Sequence, residues 1–200
     1  INSLIPETAR LQLRRTILHW KKDSMPPIVT HHLRDDSHDE LLNALRSHRL
    51  FNHAEDRVKV VYHPDFITAT NPLFSIDYHQ FVRGCHLGIF PSYYEPGGYT
   101  PLEAIASGIP TVTSDLAGFG TYLEEHIRES RRKPVKIIKR YRQDYWQAVT
   151  ELADYLYEFC QLDRRERIAV RNQAEELSAA FDWRKLYRAY KVAYRRALRA

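Results

Sequence analysis

Cysteine is scarce in this chain: Cys85 and Cys160 are the only two among 200 residues. Their spacing suits neither a metal site nor a disulfide framework, so reduced thiols in a cytoplasmic protein are the expected state. No apolar run comes near the roughly 20 residues needed to cross a bilayer, so no membrane partner is expected. The start, Ile1-Asn2-Ser3, has no basic stretch leading into an apolar core, and no secretory signal is expected. It also lacks Met, which suits a piece of a longer polypeptide. Internal repeats and low-complexity tracts are absent as well. What is present is ordinary. At 44% hydrophobic and 28% charged, with seven Gly and ten Pro, the chain reads as a soluble globular protein able to bury one substantial core.

Charge is unevenly distributed. Residues 1–127 carry 11 Lys and Arg against 15 Asp and Glu, a net −4, whereas residues 128–200 carry 19 against 10, a net +9. A basic tail on a mildly acidic body points to an anionic partner of unspecified kind. No nucleic-acid motif accompanies the tail, and no nucleic-acid partner is expected.

Hydrophobic periodicity divides the chain into three parts. Residues 1–25 hold a basic helix over 4–22, ended by Pro26-Pro27. Residues 26–140 alternate strands (28–30, 58–62, 86–90, 111–113, 135–138) with helices (39–47, 78–83, 101–107, 119–126). That alternation specifies βα units and a parallel sheet, an α/β fold with flanking helices. Residues 141–200 are helical throughout (145–160, 164–179, 183–198) and form a C-terminal appendage packing on the same domain. The last helix spaces Trp183, Tyr187, Tyr190 and Tyr194 four, three and four apart, a stripe expected to pack in the core.

Residues 90–110 carry the chemistry. A strand ends at Phe90-Pro91, and a loop containing Gly97-Gly98 follows. Thr100 is placed to cap a helix whose first residue is Pro101, with Glu103 completing a capping box. Gly108 and Pro110 stop that helix. A glycine-rich loop would thus present backbone N–H groups at a helix N-terminus, beyond the carboxyl end of a parallel strand. Open α/β sheets bind phosphorylated ligands there. On local pattern alone, Gly97-Gly98 serves equally as a simple turn and Glu103 as a simple cap.

Glu95 and Glu103, eight positions apart around that loop, resemble the paired glutamates of retaining glycosyltransferases built from two Rossmann domains. Three longer strings resemble the animal and fungal glycogen synthases. They are Phe81-Val82-Arg83-Gly84-Cys85-His86-Leu87-Gly88, Phe90-Pro91-Ser92-Tyr93-Tyr94-Glu95-Pro96 and Gly98-Tyr99-Thr100-Pro101. Arg57-Val58-Lys59-Val60, Gly118-Phe119-Gly120, Arg164-Arg165 and Arg171-Asn172 extend the likeness over roughly residues 26–130 and 158–190.

The resemblance implies a Rossmann-like nucleotide-sugar-binding domain over 26–140, the C-terminal half of a two-domain transferase. It implies UDP-glucose (or ADP-glucose) as donor, an α-1,4-glucan such as glycogen as acceptor, retained anomeric configuration, and neither metal nor organic cofactor. Tyr78 would stack on the base, and Gly97, Gly98, Tyr99 and Thr100 would hold the diphosphate. The catalytic pair divides its work: Glu95 would meet the transferred glucose and Glu103 the ribose or its surroundings. Double displacement through Glu95 and front-face attack both remain open. An oligomer of identical full-length chains is implied too. Gly97 stands where the family usually carries Trp. The family's diphosphate-clamping Arg/Lys pair and its N-terminal domain lie outside this sequence, so this stretch alone is expected to bind nucleotide weakly and not to catalyse.

Arg164, Arg167 and Arg171 fall within about 60° of one another on a helix, a row that is usually a solvated face. In the family the matching helix senses glucose-6-phosphate, and His86 matches a residue near that effector. Guanidinium forks suit such a dianion. Gln173 and Glu176 replace two further family arginines, which predicts weaker activation. His31-His32, Asp35-Asp36 and His38 do not have the spacing of a metal site. Two other readings stand beside this one. A related retaining transferase, of the sucrose or trehalose-phosphate type, is disfavoured by the Arg-Gly-Cys-His-Leu-Gly and Tyr-Tyr-Glu-Pro strings. A non-catalytic regulatory or scaffold domain of the same fold is the other.

Overall fold

The computed structural model describes Leu13 and residues 28–199. The chain divides into two compact units, Ile1–Phe66 and Ile67–Ala200. The helix expected over 4–22 lies outside the described residues, apart from helical Leu13.

In the first unit, helix α1 (Glu40–Ser47) starts where Asp39 accepts a hydrogen bond from the Leu42 amide at 2.8 Å. The strands expected over 28–30 and 58–62 shrink to one parallel bridge, Val29 with Tyr62. Two backbone bonds hold it, Thr30 N to Tyr62 O at 3.0 Å and Tyr62 N to Ile28 O at 2.7 Å. Much of this pair faces solvent: Val58 and Val61 are 60% and 63% exposed, so no packed face extends the ladder.

The second unit carries the sheet. Its three strands, β1 (Gly88–Ile89), β2 (Thr111–Ser114) and β3 (Val135–Ile138), are parallel and lie in that order. The register sets Gly88 opposite Thr111 and Thr111 opposite Val135. All four residues of β2 are buried, as a central parallel strand covered on both faces requires. The helices are α2 (Tyr78–Gly84), α3 (Tyr99–Ala106), α4 (Gly118–His126), α5 (Glu129–Arg132), α6 (Tyr145–Gln161), α7 (Arg164–Ser178) and α8 (Trp183–Ala197). The short α5 and a 3-10 turn at Ala179–Phe181 carry no sequence pattern long enough to announce them. Ile105, Phe119, Leu123, Val135, Ala174 and Leu177 form the core, so α3, α4, β3 and α7 share one apolar centre.

Two further expectations fail. Helix α3 begins at Tyr99, not Pro101, and its N-cap is Gly98 at φ 97°, ψ 54°, with no side-chain cap bond. The left-handed Gly98 turns the chain two residues early, so Thr100 is already helical and Glu103 is too far along to reach back. The aromatic stripe of α8 is not core: Trp183 is 59% exposed and no residue of the helix is buried. Its rings instead contact one another, Trp183 with Tyr190 at 5.2 Å and Tyr190 with Tyr194 at 6.3 Å.

Candidate functional site

The carboxyl ends of the three strands converge on one loop. Residues 91–97 leave β1, and a chain of hydroxyls organises them. The buried Ser114, last in β2, donates to the Ser92 carbonyl at 2.5 Å, and Ser92 Oγ donates to Glu95 Oε2 at 2.7 Å. The Glu95 carbonyl accepts from Gly118 N, the first residue of α4, at 2.9 Å, and Glu95 pairs with Ala117. A Cβ on Gly118 would lie 2.0 Å from the Pro96 carbonyl oxygen, so the loop rests directly on the start of α4. From β3, Arg140 reaches back: its guanidinium donates to the Pro91 carbonyl and lies 3.4 Å over the Tyr93 ring. Asp115, beyond β2, accepts the Arg140 amide at 2.8 Å and the Tyr141 amide at 3.2 Å.

The loop then runs into α3. Aspartate side chains cap α1, α2, α6, α7 and α8, whereas α3 and α4 start at Gly98 and Ala117 without a side-chain cap. A first helical turn has N–H groups without intrahelical partners, and its dipole favours an anion. Pro101, third in α3, offers no N–H, so the donors there belong to Gly98, Tyr99 and Thr100. Tyr99 and Thr100 are exposed, as is Gly97, while Gly98 is buried. Gly97 and Gly98 border an apolar cavity of about 230 Å³, whose walls include Tyr99, Leu102, Phe119 and Phe181.

Tyr78 opens α2 and is 38% exposed. Burial, then the negative charge of Glu103, then Cys85 push its phenol above the ordinary value, which sets Tyr78 and Glu103 in one electrostatic neighbourhood. Glu103 itself is exposed on α3.

The arginine row is divided. Arg171, half-buried on α7, donates to the carbonyls of Cys85 at 2.9 Å and Arg83 at 3.1 Å, at the C-terminal end of α2. That brings it to the residue before His86, which is exposed. Two of its five N–H donors are engaged there. Arg164 is exposed in the first turn of α7, and Arg167 is part-buried. Among the described residues no cluster of three or more His, Cys, Asp or Glu could hold a metal, and no helix is long and apolar enough to cross a membrane. His38 instead pairs with Asp35 at 2.7 Å, and His31 lies 5.0 Å from the His63 ring.

Residue reading missed Ser92, Ser114, Asp115 and Arg140. A Ser three positions before Glu95 is the one local signal; the other three reach the loop only through the sheet.

A parallel sheet whose carboxyl edge carries a glycine loop, an uncapped helix N-terminus and a tethered glutamate defines an α/β domain of the kind that binds phosphorylated ligands. The comparisons narrow this. The family model "Glycogen synthase" matches residues 1–200. The chain is 48% identical over 196 residues to a glycogen (starch) synthase of Dictyostelium discoideum, covering 98% of this chain and 22% of that protein. It is 45% identical to that of Neurospora crassa, covering 98% and 28%, and 44% identical to the liver form of Homo sapiens, covering 96% and 28%. The chain belongs to the glycogen synthase family. It spans between 22% and 28% of the length of these relatives.

Proposed function

We propose that this chain forms the nucleotide-sugar-binding part of a glycogen synthase. The full-length enzyme would move glucose from UDP-glucose, with ADP-glucose the alternative donor, to the non-reducing end of an α-1,4-glucan with retention. The observation that carries this reading is the Glu95 carboxylate, tethered at the carboxyl edge of a parallel sheet in the loop that leads to the uncapped N-terminus of α3. Cleavage of the sugar–phosphate bond loads negative charge onto the departing diphosphate. The amides of Gly98, Tyr99 and Thr100, with the α3 dipole, are suited to stabilise that charge without moving. A carboxylate at Glu95 complements the positive charge that develops at the anomeric carbon. Tyr78 would hold the base, and Glu103, which already influences Tyr78, the ribose side.

Residues 26–140 would supply the donor site and residues 141–200 would buttress it. His86, Arg164, Arg167 and Arg171 would seat a phosphate-bearing effector such as glucose-6-phosphate. The reading further assigns the protein to the cytoplasm, as an oligomer of identical full-length chains.

Glu95→Ala in the full-length protein tests the assignment. Glucosyl transfer should fall by about 10²-fold or more, in the range seen when a transition-state electrostatic partner is removed. The melting temperature should stay put. Turnover equal to the parent at unchanged stability would sink it.

A further inference from the structure

Among the described residues the Glu95 carboxylate forms no ion pair. Among the described residues its only hydrogen-bond partner is the neutral Ser92 hydroxyl, at 2.7 Å to Oε2. Arg140, which reaches the same loop, is committed elsewhere, to the Pro91 carbonyl and the Tyr93 ring. A neutral donor fixes a carboxylate in place and leaves its negative charge available, whereas a guanidinium would neutralise it.

Ser92 is itself fixed from two sides. Its amide donates to the Phe90 carbonyl at 2.9 Å, and its carbonyl accepts from Ser114 Oγ at 2.5 Å. Ser114 is fully buried at the end of the central strand, and its oxygen also accepts the Leu116 amide at 3.3 Å. Order thus passes from the buried central strand, through two serines, to one oxygen of Glu95. The Glu95 backbone is pinned independently through Gly118. One carboxylate oxygen is occupied; Oε1 receives no hydrogen bond from the described residues.

We infer that Ser92 is the positioning residue for the Glu95 carboxylate, with Ser114 as its anchor in the sheet. The inference rests on the proposed role of Glu95 at the transferred sugar. Holding a reacting group within a fraction of an ångström is worth up to about 10²-fold in rate.

The test uses the full-length protein with UDP-glucose and glycogen, comparing Ser92→Ala, Ser92→Thr, Glu95→Gln and the Ser92→Ala/Glu95→Gln double variant. Ser92→Ala should lower kcat by about 10- to 100-fold. Its donor KM should change by less than about threefold, since uniform binding is untouched. Its melting temperature should be unchanged. Ser92→Thr keeps the hydroxyl and should recover most of the rate. The residual rate of Glu95→Gln should not fall further when Ser92→Ala is added. Parental kcat for Ser92→Ala beside a disabled Glu95→Gln would overturn the inference and leave the Glu95 reading standing. A rise in donor KM at constant kcat, or an undiminished Ser92→Ala effect in the Glu95→Gln background, would overturn it too. Full activity in Glu95→Gln would remove the role of Glu95 and the inference with it.

Discussion

All seven glycines of the chain fall between Gly84 and Gly120, and three of them meet at one loop. Their tolerances differ sharply. Gly98 has φ +97° and its Cβ would come 2.6 Å from the Phe119 Cβ; a Cβ on Gly118 would come 2.0 Å from the Pro96 carbonyl oxygen. A Cβ on Gly97 would meet nothing nearer than the Tyr99 ring at 3.5 Å, beside the 230 Å³ cavity. Gly98→Ala and Gly118→Ala should therefore each cost about 1–3 kcal/mol and depress transfer, because backbone must shift. Gly97→Ala should be neutral or stabilising by up to about 1 kcal/mol. Thermal melts of the three variants check the ordering, and a Gly97→Ala as damaging as Gly118→Ala would contradict the loop geometry. The loop that carries Glu95 and the glycine pair was legible because a strand end, a double glycine and a helical run sit side by side in the sequence. Ser92 was not, since its hydrogen bond to Glu95 exists only once the loop is bent and Ser114 is beneath it.

Among the helices, the ends were the least legible feature. The capping box expected at Thr100 and Glu103 is found instead at Asp163 and Glu166, where the side chain of each bonds the other's amide, at 2.8 and 2.7 Å. Aspartate competes well for an N-cap, and Gly98 removed the need for one at α3 by turning the chain in the left-handed region. Strands were legible where they are buried: β3 matches its expected limits, while the exposed 58–62 run pairs among the described residues only at Tyr62. The period of α8 fixed its helix but not what its aromatic face meets. Helix α6 carries a measurable consequence. Burial, assisted by Glu158, pushes the Tyr155 phenol up to about 12 from an ordinary 10.0. The fold favours the neutral phenol, so this contribution is complete below pH 10 and is lost as pH rises from about 10 to about 12. Tyr155→Phe should remove up to roughly 1 kcal/mol of that alkaline loss between pH 9 and pH 11. Denaturant melts of parent and variant at pH 9 and pH 11 measure it; an identical alkaline slope in both would show that Tyr155 does not ionise differently on folding.

At the scale of the molecule, the fold class was legible because alternating strands and helices leave few architectures open, and the family because long strings around the site match. The division into Ile1–Phe66 and Ile67–Ala200 was not, since no composition shift marks it. Every residue proposed to touch donor or effector belongs to the second unit. The proposed donor site thus rests on one small parallel sheet, whose strand ends, loop and helix N-terminus are cross-tied by Ser114, Asp115 and Arg140. The most direct measurement is the transfer of labelled glucose from UDP-glucose to glycogen by the full-length protein, with the product digested by an α-1,4-specific exo-hydrolase. The account predicts incorporation at the chain ends, with the label released by the α-1,4-specific hydrolase, and its loss in Glu95→Ala. No incorporation from either UDP-glucose or ADP-glucose by the folded full-length protein would contradict it.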